Sequence, residues 1–200
     1  MAGNMNLRRL TILSVLILML SSCDLVPHAD PEKYKVRTSD HTLQQLCDYP
    51  RKFFATRYAD TALEVEPGLK KPLTDKIGTG NDCSYYLRER DQPDRRYIGS
   101  ALLFRIVDSD HTLSTPPPAN ENYPTKVLTV DGMTVKVVTE PLPKGADPAT
   151  TLLDVDLTAS LDGWEGELHF KETDDQTTRD DQPTRAGAQV LVDMIRTLKG

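Results

Sequence analysis

The chain has 200 residues and a formal net charge of −6 at pH 7. This excess of carboxylates argues against a nucleic-acid-binding protein and against a protein that lies flat on an anionic lipid surface. The length is typical of one domain with a sizeable core rather than of two.

The first twenty-two residues have the three parts of an export signal. A basic start with Arg8 and Arg9 precedes an apolar run from Leu10 to Leu20, and small residues follow before a cysteine. The run is shorter than the roughly 20 apolar residues that cross a bilayer, so no transmembrane helix is predicted. We expect residues 1–22 to be removed. They hold two of the 24 basic and none of the 30 acidic residues, so the mature net charge is −8.

The end of this signal decides its type. The sequence Leu20-Ser21-Ser22-Cys23 resembles the lipobox of bacterial lipoproteins. The resemblance implies a diacylglyceryl group on the sulfur of Cys23, and often a further fatty acyl chain, such as palmitate, on the new amine. Each buried methylene contributes about 0.8 kcal/mol, so two or three chains hold a protein at a membrane. The alternative is an ordinary secretory signal. We predict an extracytoplasmic protein that is lipid-anchored to the cell membrane.

The chain has three cysteines, and two remain once Cys23 is assigned to lipid. Cys47 and Cys83 remain as a pair in an oxidising compartment, which predicts a disulfide between them. Two free buried thiols are the alternative. A metal site is disfavoured because no second pair of ligands lies at a suitable spacing.

Residues 23–38 are predicted to form a polar, flexible tether, and residues 39–200 a single domain. At the start of the domain, Ser39-Asp40 is predicted to cap a short helix, and Pro50 suits the first turn of a second one. The apolar and aromatic side chains at helical spacing in these segments are expected in the core. They are Leu43, Leu46, Cys47, Phe53, Phe54 and Tyr58.

The middle of the chain predicts strands at residues 83–88 and 97–107, followed by an exposed loop that contains Pro116-Pro117-Pro118. Two Asp-Gly dipeptides, Asp131-Gly132 and Asp162-Gly163, lie between alternating strands, as type I′ hairpins require. The second hairpin has an apolar face with four predicted pairs. They are Leu161 with Trp164, Ala159 with Gly166, Leu157 with Leu168, and Val155 with Phe170. Its other face pairs Asp156 with His169 and Asp154 with Lys171.

Residues 172–182 are predicted to form an acidic loop, and a helix opened by Pro183 closes the chain. The helix has an apolar stripe that needs a sheet to cover it. The stripe consists of Gly187, Val190, Leu191, Met194, Ile195 and Leu198. The predicted fold class is α+β: an antiparallel sheet of about five to seven strands, with N- and C-terminal helices packed on one face.

The sequence contains no catalytic signature. It lacks a G-x-S-x-G elbow, an S-x-x-K pair, an H-E-x-x-H helix and a P-loop. The four histidines are scattered along the chain, and the acidic-loop residues lack the spacing of a calcium loop. These acidic residues are Asp174, Asp175, Asp180 and Asp181. We therefore predict no metal and no cofactor.

The order of these features resembles a family of actinobacterial lipoproteins of unknown function. The resemblance rests on the lipobox, the tether, the helix with Leu46-Cys47, the segment Asp82-Cys83-Ser84-Tyr85, the hairpins and the closing amphipathic helix. Family members usually carry an aromatic residue, often Trp, two positions after this cysteine; here it is Tyr85. The glycine-rich central segment of the family is poorly matched by residues 128–137. The resemblance implies a disulfide that joins helix to sheet, an extracytoplasmic location and no known catalytic residues.

The leading functional hypothesis is a non-catalytic binding module of the cell envelope, whose partner is another protein or a cell-wall component. The proline loop and the acidic loop are its candidate contact surfaces. The alternative is a carrier of a lipid or other apolar ligand between the sheet and the closing helix. Its candidate binding residues, which could equally form the core, are Trp164, Leu168, Phe170, Leu191, Met194 and Ile195.

An enzyme with an unrecognised site is a third hypothesis. Its candidate pair is Asp156 with His169, because a carboxylate beside an imidazole can orient the ring and raise its basicity. A surface ion pair of little energetic value is the simpler interpretation.

Overall fold

The structure is a computed structural model that describes residues 38–58, 62–78, 80–88, 94–105, 123–173 and 182–200. Cys23, most of the tether, the proline loop and the four aspartates of the acidic loop lie outside the described residues. No helix in the described ranges has the length and apolarity needed to cross a membrane.

Within these described ranges, seven antiparallel strands form one sheet, in the order β1-β2-β3-β7-β6-β5-β4. The α+β class and the predicted number of strands are confirmed. The elements are α1 (Leu43–Asp48), α2 (Arg51–Tyr58), β1 (Leu63–Pro67), a 3₁₀ turn (Gly68–Lys70), β2 (Asn81–Arg88), β3 (Arg95–Arg105), β4 (Thr125–Val130), β5 (Met133–Thr139), β6 (Leu152–Leu161), β7 (Trp164–Thr173) and α3 (Gln182–Leu198). Strands β1–β3 form one half of the sheet and β4–β7 the other, joined where β3 pairs with β7.

Both Asp-Gly hairpins are confirmed. Their turn residues have positive φ, 48° at Asp131 and 52° at Asp162, and each is followed by a glycine with φ near +80°. This conformation defines a type I′ turn and matches the twist of the flanking strands. Every predicted pair of the second hairpin is present, from Leu161 with Trp164 to Asp154 with Lys171.

The start of the first helix differs from the prediction. Thr42, not Ser39-Asp40, is the N-cap, and it forms a capping box with Gln45. Ser39 is buried, and its hydroxyl donates a 2.5 Å hydrogen bond to the carbonyl of Leu198 at the end of α3. The Ser39 hydroxyl, which the local sequence assigns to a helix cap, instead forms a long-range contact with α3.

The acidic loop also begins later than predicted, because Glu172 and Thr173 belong to β7. Glu172 is only 5% exposed and forms an ion pair with Arg57 of α2. The guanidinium of Arg57 also lies over the ring of Phe170, 4.9 Å from its centroid. A buried carboxylate needs such a partner, and the partner comes from a distant part of the chain.

The Cys47–Cys83 disulfide is present and links α1 to β2. Beside it, the hydroxyl of Tyr85 donates a 2.8 Å hydrogen bond to the carbonyl of Cys47. The Tyr85 ring stacks on Phe54, with centroids 4.1 Å apart. The aromatic residue two positions after the cysteine therefore satisfies a carbonyl at the end of α1 and fills the adjacent core.

The closing helix packs tightly against the second half of the sheet. A Cβ atom on Gly166 of β7 would lie 2.6 Å from Cγ1 of Ile195, and one on Gly187 of α3 would lie 2.9 Å from Cε1 of Phe170. The predicted stripe of α3 is buried except for Val190, which is half-buried. Glycine at these two positions lets helix and strand approach closely.

Candidate functional site

A connected group of polar side chains surrounds His169 on β7. Nδ1 of His169 lies 2.7 Å from Oδ1 of Asp156, and Nε2 lies 3.3 Å from Oδ1 of Asp154. Nζ of Lys171 lies 2.6 Å from the same oxygen of Asp154. We call Asp154, Asp156, His169 and Lys171 the His169 cluster. It arises because residues i and i+2 of two paired strands share a face.

The His169 cluster has the Asp156–His169 pair that the enzyme hypothesis needs, but its geometry is that of a clamp. A general base must bring a ring nitrogen within hydrogen-bonding reach of the substrate proton. Here each ring nitrogen already faces a carboxylate. Asp156 is within hydrogen-bonding distance of Nδ1 and orients the imidazole, and the carboxylate of Asp154 lies beside Nε2.

Aromatic side chains extend the His169 cluster across the sheet. The ring of Tyr97 stacks on His169 at 5.8 Å, and Tyr86 meets Tyr97 edge-on at 5.7 Å. The guanidinium of Arg95 lies 4.0 Å above the ring of Tyr86 and 2.5 Å from Oε2 of Glu66 on β1. Contacts therefore run continuously from β6 to the edge strand β1.

Burial raises the pKa of two side chains in or near this network, Tyr97 and Glu167. The pKa of the Tyr97 phenol is raised mainly by burial, and a hydrogen bond with Ser100 partly opposes this effect. The pKa of Glu167 is raised by burial and further by the carboxylates of Glu165 and Asp156. Both shifts favour the uncharged form, as expected where the sheet partly excludes water.

A cavity of about 490 Å³ runs between α1 and the edge strand β1; we call it the β1 groove. Its apolar lining comes from Cys47, Leu63, Val65 and Leu73. Its charged lining comes from Asp48, Arg51, Glu64, Glu66 and Arg95. The volume lies within the range of ligand-binding pockets.

The carboxylates of the β1 groove are paired with arginines. Asp48 lies 3.6 Å from Arg51, and Glu66 lies 2.5 Å from Arg95. Glu64 lies 2.6 Å from Nε of Arg88. Each carboxylate of the groove therefore has a cationic neighbour, so the charges of the lining are largely balanced.

Some backbone groups of β1 point away from the neighbouring strand. Among the described strands, β1 is the last at this side of the sheet. The amide of Arg88 donates to the carbonyl of Ala62 at the start of the β1–β2 pairing. In an antiparallel ladder this bonding alternates from residue to residue. The N–H and C=O groups of Leu63 and Val65 therefore point away from β2.

The residues assigned to an apolar ligand site lie in the core. Trp164, Leu168, Phe170, Leu191, Met194 and Ile195 are each at most 2% exposed. Close contacts across this interface, such as Gly187 against Phe170, favour the core interpretation over a ligand cavity. Among the described residues, no group of three or more His, Cys, Asp or Glu is arranged to hold a metal ion.

Sequence reasoning found the Asp156–His169 pair but missed the β1 groove. The only local signal for β1 is the alternation in Leu63–Pro67, where two glutamates and a proline resemble a polar connection. Arg95 and Tyr86 gave no signal either, because their contacts depend on the order of the strands.

No protein-family model, curated protein or solved structure matches the chain.

Proposed function

We propose that this protein is a non-catalytic binding module of a bacterial cell envelope. Lipid on Cys23 holds it at the cell membrane, and the β1 groove binds an envelope protein or a cell-wall component. The observation that carries the proposal is a cavity of about 490 Å³ beside a strand edge whose outward backbone groups pair with no other strand in the described part of the chain. A concave site with convergent polar groups is the usual form of a binding site.

The His169 cluster supports a binding function over a catalytic one. Nδ1 of its histidine forms a 2.7 Å hydrogen bond with Asp156, and the carboxylate of Asp154 lies 3.3 Å from Nε2. A clamp of this kind fixes the position of neighbouring side chains, including Tyr97. In this proposal it stiffens the polar face of the sheet that leads to Arg95 and the groove.

The helices form a layer on one face of the sheet in this proposal. Three contacts support it: Cys47 of α1 bonded to Cys83, Phe54 of α2 close to Gly99, and Ile195 of α3 close to Gly166. The strand register aligns the three sheet residues on the same face. The β1 groove then lies where this helical layer meets the edge of the sheet.

The anchor is tested by the intact mass of the mature protein extracted from membranes. The proposal expects a chain that begins at Cys23 and carries the added mass of two or three acyl chains. A Cys23→Ser variant is the control and should leave the membrane fraction. An unmodified thiol at Cys23 would contradict the anchor.

The binding site is tested by photocrosslinking in intact cells. A benzoylphenylalanine replaces Leu73, which lines the groove and is 38% exposed, or Val127, which is 64% exposed on β4 at the opposite edge of the sheet. The proposal expects discrete adducts from position 73 and far fewer from position 127. Equal labelling at the two positions, or none at 73, would refute the groove as the binding site.

A further inference from the structure

We infer that the β1 groove binds an extended peptide segment of an envelope protein, which adds to the sheet as a further strand beside β1. This inference rests on the proposed binding function and names the class of ligand. Three features carry it: the backbone groups of β1 that point away from β2, the apolar lining beside them, and the helical residues that also line the groove.

The outward backbone groups of β1 can form a short series of hydrogen bonds with an added strand. Leu63 and Val65 each direct one N–H and one C=O away from β2, as the alternation of the β1–β2 pairing requires. Pro67 has no N–H and ends the series of donors. The five residues of β1 span about 16 Å, so the ladder suits a segment of about four or five residues.

The side chains that line the groove favour a peptide with alternating character. Leu63, Val65 and Cys47 supply apolar surface, and Leu73 adds a side chain that is 38% exposed. Successive side chains of an added strand point to opposite faces, so every second one meets this surface. The ligand is therefore a strand with apolar residues at alternate positions and neutral polar residues between them.

The cavity between α1 and β1 marks this edge of the sheet. Both β1 and β4 are edge strands. The cavity lies at β1, and Asp48 of α1 and Arg51 at the start of α2 also line it. A strand edge facing a helix can give both backbone hydrogen bonds and side-chain contacts to a peptide, which is the usual mode of strand addition.

The experiment uses a displayed library of random twelve-residue peptides, selected on the full mature lipoprotein in detergent micelles. The strongest binder is synthesised in its normal form and in two N-methylated forms, which carry N-methyl groups on one or the other set of alternate backbone nitrogens. All three forms are titrated against the wild-type protein. We expect at least about tenfold weaker binding of the form whose N-methyl groups face β1, because ladder bonds are lost.

Two matched variants locate the binding edge. Val65→Pro removes a backbone donor that points away from β2, and Val127→Pro does the same at the opposite edge. Proline is tolerated at such outward positions because the internal ladder is kept. We expect Val65→Pro to weaken peptide binding about tenfold or more and Val127→Pro to leave it within about twofold.

Several results would overturn strand addition at β1. They are failure to enrich any peptide, equal binding of both N-methylated forms and the normal peptide, or equal loss in Val65→Pro and Val127→Pro. The N-methylated peptides test the wild-type protein, so the inference stays testable if Val65→Pro does not fold. If these tests fail while crosslinks from position 73 persist, the binding function stands and the peptide class is wrong. Concentration-dependent dimers lost in Val65→Pro would assign the edge to a second copy and also overturn the inference.

Discussion

The two halves of the sheet are held together in different ways. In the second half, β4–β7, two-residue Asp-Gly turns set the register of two hairpins, and α3 covers them. In the first half, β1–β3, a disulfide joins segments 36 residues apart, and backbone hydrogen bonds tie α1 to the segment before β2. Local turn chemistry therefore organises one half, whereas long-range links organise the half that contains the β1 groove.

Removal of the disulfide should give the largest effect. Replacing Cys47 and Cys83 together by alanine is expected to lower the free energy of unfolding by about 4 kcal/mol, because the unfolded chain gains the freedom of the open loop. Denaturant unfolding measures this value. Amide exchange should accelerate in α1 and β1 before it does in the β6–β7 hairpin. Equal acceleration in both halves would contradict the comparison.

Tyr85→Phe should have the next largest effect. The variant keeps the ring stacked on Phe54 but leaves the carbonyl of Cys47 without its 2.8 Å hydrogen bond. An unsatisfied buried carbonyl costs about 1–3 kcal/mol. Thermal or denaturant unfolding measures the loss. Tyr123→Phe is the control and is expected to change stability by less than about 0.5 kcal/mol, since Tyr123 lies outside the buried core.

Tyr85 should also make the stability of the protein depend on pH. Burial raises the pKa of the Tyr85 phenol well above its usual value near 10. As pH rises above about 10, the unfolded chain loses this proton first, so the native state loses stability. Tyr85→Phe should flatten this decline when unfolding is measured from pH 9 to 11.5. If the decline in unfolding free energy with pH is the same in Tyr85→Phe and the wild type, the pKa of the Tyr85 phenol is not raised in the native state.

In the second half of the sheet, Asp162→Ala should lower the free energy of unfolding by about 1–2 kcal/mol. Asp162 has φ of 52°, a conformation that alanine adopts only with strain. Asp162 also contacts Lys199 of the chain end, but this exposed ion pair contributes little. Asp162→Asn therefore separates the two causes, since it keeps the conformational preference and removes the charge. We expect Asp162→Asn to be nearly as stable as the wild type.

The His169 cluster should give the smallest effect. His169→Gln breaks a partly exposed group of ion pairs, so the free energy of unfolding should fall by less than about 1 kcal/mol. Chemical denaturation checks this value, with Asp156→Asn as the matched variant. A loss above 3 kcal/mol would identify the cluster as a main determinant of stability.

The sequence predicted most of the second half because its signals are local. Asp131-Gly132 and Asp162-Gly163 specify their turns, and period-two alternation then assigns every pair from Leu161–Trp164 outward. The closing helix followed from its apolar stripe. The Asp156–His169 pair could be predicted for the same reason, since the hairpin register alone places it.

The first half was harder to predict because its signals are distant. β1 is five residues long and contains two glutamates and a proline, and only pairing with β2 makes it a strand. The burial of Glu172 depends on Arg57 of α2. The disulfide could be predicted because Cys47 and Cys83 are the two cysteines left after Cys23. The β1 groove could not, because it forms only when α1 and β1 are in their folded positions.

Amide exchange at the two edge valines tests the central claim most directly. The backbone N–H of Val65 and that of Val127 both point away from their neighbouring strands. The selected peptide should slow exchange at Val65 by at least about tenfold and leave Val127 unchanged. Unaltered exchange at Val65 in the saturated complex, or equal slowing at both valines, would contradict a binding site along β1.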